Sequence, residues 1–386
     1  MKPKQHLVSC AYSSLYLDLA TMLSYRNVSK TMNRFLHKTS EHEIKLSTLE
    51  GRVESQGKAL IQAYKEKAVN ILESHNVDAQ SGIIEAASSI ATSICDAPLP
   101  DVLTEKAVRQ YITDYNRDRE TDMKLKYGLV TSAIEANAED CCYISIDDIG
   151  VRFQKAERNS SYNKNQKFIE NTVIHIQKGE SQYTITAIGM KNAFVLLVAF
   201  LLDNNLMTGC RLVFLTDGAK CISDNIETFF GFRQHTIILD WLHLEKKCNE
   251  YLAMAVKGTK EEKTCIKQKL AAILWTGRID KATKYLDNIR KSNIKNNKKL
   301  DELRGYLDRK SPYLACYALR RHLGLRTSSN RVEKANDIIV ATRQKHNGMS
   351  WSKAGSGALA VITAANVNRE LDNWITTGQI NFKLVA

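Results

Sequence analysis

CCYISIDDIGVRFQK, residues 141–155, is the stretch of sequence that decides the fold. An uncharged run opens at Cys141 and leads directly into two carboxylates, Asp147 and Asp148, which is typical of a buried strand ending at a polar site. Because side chains alternate along a regular strand, only one of the two carboxylates can point into a crevice at its end. We choose Asp147, which directly follows the apolar run, and keep Asp148 as the alternative.

Four further strands are predicted after this one. One helix lies between the third and fourth strands of the sheet, and another lies between the fourth and fifth. The strands are FIENTVIHIQKG (168–179), SQYTITAIG (181–189), CRLVFLTDG (210–218) and HTIILDWLHL (235–244), with helices over Met190–Leu202 and Cys221–Phe230. The order β-β-β-α-β-α-β predicts an α/β fold in which a mixed five-stranded sheet carries helices on both faces.

A second carboxylate, Asp217, ends the fourth strand as Asp147 ends its apolar run in the first. Ligands of open α/β sheets bind beyond the carboxyl ends of the strands, so these two acids are candidates for one site. Two Mg²⁺ ions about 3.5–4 Å apart would there activate an attacking hydroxyl and stabilise the leaving oxygen of a phosphodiester. The third carboxylate must come from elsewhere, and Glu333 on a late helix is the candidate. For any one acid alone, capping of a strand or helix is the commoner role.

Asp240 and His243 close the fifth strand and are possible accessory residues. The pair could place an imidazole and a carboxylate beside the metal ions, or it could cap the next helix. The two roles are about equally expected for such a histidine. A zinc site is not expected, because too few ligands are near in sequence.

Composition favours a nucleic-acid partner. The chain of 386 residues carries a net charge of +13, and a basic surface attracts polyanions, above all nucleic acid. Its nine cysteines form no C-x-x-C pair and indicate a reducing cytoplasm rather than a disulfide framework. The longest apolar run, Ala193–Leu202, is too short for a membrane span.

Short helices are predicted at the N-terminus, over Leu17–Met22, Val28–Leu36 and Ile44–Val53. Ser40 with Glu43 resembles a capping box ahead of the third helix. Three such helices suit a helix-turn-helix unit in residues 1–60, although an ordinary helical bundle has the same pattern. The residues that would face DNA are Lys45, Ser47, Thr48 and Arg52.

The remaining chain divides by composition. We predict a helical connector (61–140), the first part of the α/β core (141–245), a basic helical insertion (246–325) and the C-terminal helices of the core (326–386). Positive charge is concentrated in Arg290–Lys310, which is either a solvated helical face or a surface that neutralises DNA phosphates.

Taken together, five motifs resemble the DDE transposases of bacterial insertion sequences and their Mutator-like eukaryotic relatives. The motifs are ISIDDIGV (144–151), FLTDGA (214–219), ILDWLH (238–243), RVEKAN (331–336) and RQKHNGMSW (343–351). The resemblance covers roughly residues 140–360. It implies an RNase H-like fold, with Asp147, Asp217 and Glu333 as catalytic acids and metal ligands. It also places Asp240 and His243 in an x-x-His motif, and Arg343, Lys345, Gly348, Met349 and Trp351 in the block after the glutamate.

The resemblance further implies the activity, the partners and the location. The enzyme would hold two Mg²⁺ or Mn²⁺ ions, cut double-stranded DNA at terminal inverted repeats and join the freed ends to target DNA. It would act as a homodimer or higher oligomer at the bacterial nucleoid, with Arg343 and Lys345 among its DNA contacts. Asp148 stands where such families often have glycine, and the chain could be a shortened copy. The alternatives are an inactive, transposase-derived DNA-binding protein and another RNase H-like nuclease.

Overall fold

The structure is a computed structural model. It describes residues 9–39, 42–119, 124–125, 134–155, 167–345 and 349–386.

Five strands form one mixed sheet, as the sequence predicts. They are β1 (Cys141–Arg152), β2 (Phe168–Lys178), β3 (Ser181–Ile188), β4 (Arg211–Thr216) and β5 (His235–Leu239). Their order across the sheet is β3-β2-β1-β4-β5. The pairs β1–β2 and β2–β3 are antiparallel, whereas β1–β4 and β4–β5 are parallel. The sheet with its flanking helices confirms the α/β prediction and is compatible with an RNase H-like fold.

In the described part of the chain, five helices precede the sheet. They are α1 (Cys10–Met22), α2 (Tyr25–Phe35), α3 (Leu46–Ser74), α4 (Ser89–Asp96) and α5 (Glu105–Asn116). The first two begin at serine caps, where Ser9 Oγ accepts the Tyr12 N–H at 3.2 Å and Ser24 Oγ accepts the Asn27 N–H at 3.3 Å. These bonds satisfy backbone donors that a helix start leaves free.

Helix α3 differs from the prediction in its length. It runs for 29 residues instead of ending at Val53, so the predicted division at residue 60 falls inside it. Its N-cap is Lys45, which makes no side-chain cap bond, and Ser40 of the predicted capping box lies outside the described residues. Val53 and Leu60 are fully buried in the same hydrophobic core as the sheet. The third N-terminal helix is therefore longer than predicted and packs into the core.

Among the described residues, seven helices lie between β3 and residue 325, and five of them build the predicted insertion. The two that connect the later strands are α6 (Met190–Asp203) and α7 (Lys220–Phe230). The insertion contains α8 (Trp241–Ala255), α9 (Lys260–Trp275), α10 (Ile279–Asp287), α11 (Asn297–Lys310) and α12 (Tyr317–His322). A second hydrophobic cluster joins Leu252, Leu274 and Leu303 of these helices to Val213 of β4 and Ile238 of β5. The insertion thus packs on the sheet through a core of its own.

The C-terminal part begins with an irregular helix, which we call the Glu333 helix (residues 330–344). It consists of α13 (Asn330–Asn336), a π-helical turn (Asp337–Ala341) and α14 (Thr342–Gln344). This confirms the predicted late helix, and α13 packs across β1 and β2. Trp351 then pairs with Phe153, which anchors the block after the helix to the end of β1. Helices α15 (Lys353–Val367) and α16 (Leu371–Thr377) complete the chain.

Candidate functional site at the strand ends

Three aspartates lie near the edge of the sheet where β4 and β5 end; β1 does not end there as predicted but continues beside β2 to Arg152. The last parallel pair of β1 and β4 is Ser145 with Leu215, and Asp147 and Asp217 each lie two residues further on. In the same way Asp240 lies one residue beyond Leu239, which pairs with Thr216. Neighbouring strands are about 4.8 Å apart, so the register alone brings the first two candidate acids together.

Asp147 is held in one orientation by two hydrogen bonds. Its Oδ1 accepts the Asp148 N–H at 2.9 Å, and its Oδ2 accepts the Asn336 side-chain N–H at 2.7 Å. Burial, followed by the charge of Asp217, raises the pKa of Asp147 to about 6, although the Asp148 N–H and His243 act in the other direction. A carboxylate that is hard to ionise beside another acid is the environment in which a cation would bind.

Asp148 points to the other face of the sheet. It lies directly opposite Thr172 on β2, and the Thr172 hydroxyl donates a hydrogen bond to Asp148 Oδ1. Burial is the main cause that raises its pKa above the usual range. The alternation along β1 thus supports Asp147 as the first acid, because Asp147 and not Asp148 faces the Glu333 helix.

Asp217 sits in a tight turn between β4 and α7. Its Oδ1 accepts the Ala219 N–H at 2.7 Å, and Gly218 between them has a φ of +82°, in the left-handed region. A Cβ at this glycine would lie 2.7 Å from Leu239 Cδ1, so a side chain there would have to displace the end of Leu239. Lys310 from α11 donates a hydrogen bond to the Gly218 carbonyl. The insertion therefore braces the loop that carries the second acid.

Asp240 acts as a structural anchor, which we call a pin: both of its carboxylate oxygens already accept hydrogen bonds within the protein. It is 1% exposed, its Oδ1 accepts the His243 backbone N–H at 2.8 Å, and its Oδ2 accepts the Ser329 hydroxyl at 2.8 Å and the Ser329 N–H. Burial opposes its ionisation, but the hydrogen bonds from His243 and Ser329 prevail and keep the pKa of Asp240 below the usual range. Since Ser329 is the N-cap of α13, Asp240 fixes the start of the Glu333 helix. Of the two roles considered for Asp240, capping is the one present.

His243 connects this pin to Glu333. Its Nδ1 lies 3.5 Å from Asp240 Oδ1 and 3.6 Å from Glu333 Oε1. Asp240, with smaller contributions from Glu333 and Asp217, raises the pKa of His243 above the usual range, although burial opposes this. The Glu333 side chain is 47% exposed and has room to turn. Sequence reasoning placed both residues at the site, and in this conformation they face each other.

The donor set fits a hard divalent cation in part. Carboxylate oxygens are the ligands that Mg²⁺ and Mn²⁺ prefer, and a cation between Asp147 and Asp217 would relieve their repulsion. Among the described residues, however, no group of three or more His, Cys, Asp or Glu side chains is close enough to hold a metal ion. Asp147 and Asp217 supply the kind of donor atom that such a cation prefers, whereas Glu333 lies against His243 and would have to turn away from it to join them.

Sequence reasoning missed Asn336, which contacts the first acid directly. Asn336 is 4% exposed and lies one helical turn after Glu333, on the same face of α13. The spacing of three residues could have indicated it, because residues three apart are neighbours on a helix.

The predicted DNA contacts have different environments. Lys45, Ser47 and Thr48 are exposed at the start of α3. Arg52 is partly buried, lies 5.6 Å from the centre of the Tyr12 ring and donates to the Tyr12 hydroxyl at 3.3 Å. The first three remain candidates for DNA contact, whereas Arg52 is already engaged inside the protein.

Arg343 does not fit the predicted role. It is 3% exposed, donates to the Ala20 carbonyl at 3.1 Å and lies over the rings of Tyr25 and Trp351. A guanidinium buried between aromatic rings ties the C-terminal block to α1 and α2, so Arg343 is a packing residue. Lys345 is exposed and remains a candidate, and Gly348 lies outside the described residues.

A cavity of about 650 Å³ lies away from the aspartates. It is enclosed by α3, α6, α15 and the edge strand β3, with an apolar wall that includes Ile61, Val195 and Val361. None of the candidate acids lines it, so we do not assign it to the strand-end site.

No protein-family model matches the chain, and no curated protein matches it either. Among solved structures, the Drosophila P element transposase strand transfer complex resembles it over 72% of this chain and 76% of that chain, with 8% identical residues and a TM-score of 0.21. A likeness at that level carries no argument about this protein. None of the described helices has both the length and the apolar character needed to span a membrane.

Proposed function

We propose that this chain is a DNA transposase of the DDE type, with Asp147, Asp217 and Glu333 as its catalytic acids. The observation that carries the proposal is that Asp147 and Asp217 lie at corresponding positions of adjacent parallel strands, each two residues beyond the last paired residues, Ser145 and Leu215. The Glu333 helix packs over the same edge and is bonded to Asp147 through Asn336. On this proposal, acids that are 70 and 116 positions apart in sequence would form one site.

The residues divide the work between them. Asp147 and Asp217 would hold one or two divalent cations, with Glu333 as the further ligand after leaving His243. When bound, such cations lower the pKa of an attacking water or hydroxyl and stabilise the leaving oxygen of a phosphodiester. Asp240 keeps the Glu333 helix in place through Ser329, and a protonated His243 offers a positive charge beside the phosphate.

DNA would reach the site along the basic insertion. Part of its charge is already neutralised locally, since Arg304 pairs with Asp287 at 2.9 Å and with Asp301 at 2.6 Å. Lys295 and Lys298 are exposed and can neutralise phosphates. When both are replaced by alanine, the slope of log affinity against log salt is expected to become shallower by about one for each lysine removed. An unchanged slope of log affinity against log salt would place the DNA elsewhere.

The test of the function is a cleavage and joining assay. The DNA is taken from the regions flanking the gene, where the ends of an element would lie, and Mg²⁺ or Mn²⁺ is supplied. Asp217→Asn and Glu333→Gln keep side-chain shape and remove a charged ligand, so each should reduce both steps by at least about 100-fold. The matched control is Asp224→Asn, an exposed carboxylate on α7. Activity of either site variant close to that of the wild type refutes the assignment.

One observation favours a second candidate function, DNA binding without catalysis. Because no three-residue metal group exists among the described residues, a DNA-binding protein without catalytic activity is the competing assignment. It would bind the same DNA with the same salt dependence, but neither cleave nor join it with either cation. Cleavage without joining would instead indicate a nuclease, the third alternative.

A further inference from the structure

Asn336 makes a contact that no role in the proposed chemistry yet accounts for. Its side-chain N–H donates to Asp147 Oδ2 at 2.7 Å across 189 positions of sequence. Both residues are shielded, since Asn336 is 4% exposed and Asp147 is only partly accessible. A hydrogen bond from a buried amide to a carboxylate is stronger than one between neutral groups, because its acceptor is charged.

The carbonyl oxygen of the same amide has no role in this contact. Asn336 Oδ1 is buried and has no hydrogen-bond partner among the described residues. An unpaired buried oxygen carries a desolvation cost of about 1–3 kcal/mol. Asn368 differs in this respect, because both halves of its amide are paired: its Oδ1 accepts the Thr184 N–H at 2.9 Å and its Nδ2 donates to the Thr184 carbonyl at 2.8 Å.

The backbone is also irregular at this point. The π-helical turn begins at Asp337, directly after Asn336, and such insertions into helices occur frequently at functional sites. The regular α-helical turn before it carries Glu333, so Glu333 and Asn336 are one turn apart on the same face of the helix.

We infer that Asn336 is a positioning residue of the proposed metal site, which fixes the Asp147 carboxylate, and that its unpaired Oδ1 is available as a further oxygen donor there. The inference rests on the proposed function. With Oδ2 bonded to Asn336 and Oδ1 bonded to the Asp148 N–H, the Asp147 carboxylate cannot rotate. Each oxygen keeps a second lone pair for the cation, and an amide oxygen is a ligand that hard cations accept.

The test measures cation binding rather than activity. Titration calorimetry gives the Mn²⁺ affinity of the full chain without DNA, and thermal unfolding without metal gives the stability of each variant. Asn336→Ala is expected to weaken Mn²⁺ binding about 10- to 100-fold, the effect typical of residues that orient a ligand. Asn336→Leu keeps the bulk of the side chain and should show the same loss, which covers the case that the alanine variant folds poorly.

Asn368→Ala is the matched control, because Asn368 is equally buried and lies at the far edge of the sheet. It should lower the unfolding temperature and leave the Mn²⁺ affinity unchanged. The inference is overturned if a folded Asn336 variant binds Mn²⁺ as the wild type does, or if the Asn368 variant loses as much affinity.

Failure of the proposed function has a different signature. Asp217→Asn removes a direct ligand and should abolish Mn²⁺ binding at this site. If wild type and Asp217→Asn bind Mn²⁺ equally, the metal site itself is wrong and the role of Asn336 falls with it. If Asp217→Asn loses binding and the Asn336 variants do not, the proposed function stands and only this inference is lost.

Discussion

The raised pKa of Asp147 makes a quantitative prediction about stability. Asp147→Asn removes a negative charge that burial and the nearby Asp217 destabilise in the native state, and it keeps the shape of the side chain. The new amide can still accept the Asp148 N–H, and it can donate to Asn336 Oδ1 if the Asn336 amide turns over, since that oxygen is unpaired. We therefore expect the variant to be more stable than the wild type near neutral pH in the absence of metal.

The size of the effect follows from the difference between about 6 and the ordinary value of 3.8. That difference corresponds to at most about 3 kcal/mol in favour of the protonated form. Because the side chain is partly exposed, solvent screening reduces the figure, and we expect a gain of about 1–2 kcal/mol in unfolding free energy.

The pH dependence gives the sign of the effect. Where the native state binds the proton more tightly than the unfolded chain, stability falls as the pH rises. The wild type should thus lose stability between about pH 4 and about pH 6, and the advantage of Asp147→Asn should be complete above that range and vanish below it.

Urea unfolding with a metal chelator, at about pH 7.5 and about pH 4, measures the difference. Asp224→Asn serves as the exposed control and should change stability at neither pH. Equal stability of wild type and Asp147→Asn at both pH values, or a less stable variant at the higher pH, would refute the reasoning. Added Mn²⁺ should then stabilise the wild type more than the variant, because a cation that binds only the native state shifts the equilibrium.

Two further substitutions test the supports of the site, and a third tests a buried ion pair that has no part in the proposed site. Gly218→Ala should lower the unfolding free energy by about 1–2 kcal/mol, because the residue adopts a φ of +82° and its Cβ would meet Leu239. Stability and cleavage activity, measured on the same variant, should both be reduced. Unchanged cleavage would contradict the role of this turn. Asp240→Asn should cost about 2–3 kcal/mol, because a buried carboxylate that accepts three hydrogen bonds becomes an amide; a stability loss below about 0.5 kcal/mol would show that the pin is dispensable. Glu135→Ala should cost about 3–5 kcal/mol, because it leaves the Arg320 guanidinium, now paired at 2.8 Å, buried without its partner; cleavage activity per folded molecule should stay at the wild-type level.

The sheet could be predicted because its signals are local. Each strand is a short apolar or β-branched run bounded by glycine or polar residues, and periodicity is sufficient to find such runs. The choice of Asp147 over Asp148 also came from a local rule, the alternation of side chains, and the Thr172 bond to Asp148 agrees with it. The position of Asp217 directly after β4 was predicted from the same kind of local pattern.

The length of α3 could not be predicted, because it depends on a distant helix. Gly51 and Gly57 weaken the helical pattern in the sequence, and glycine in a helix interior costs about 1 kcal/mol relative to alanine. In the structure a Cβ at Gly57 would lie 2.3 Å from Ala358 Cβ on α15, so the glycine permits the two helices to cross closely. Packing gained at that crossing outweighs the propensity. Arg343 shows the same limit, because nothing in its sequence neighbourhood indicates that Tyr25 will cover it.

The position of Glu333 follows from the two pins that hold its helix on the sheet. At one end Asp240 binds Ser329, the cap of α13, and at the other end Asn336 binds Asp147. Glu333 lies between these anchors, on a helix of only seven residues, so the backbone that carries it has little freedom to move. Its side chain contacts His243 at 3.6 Å and is half exposed, which leaves rotation about its own bonds as the way to approach Asp147 and Asp217. We therefore expect the cation to be bound without a movement of the helix, and a shift of the Glu333 helix on metal binding would contradict the role of both anchors.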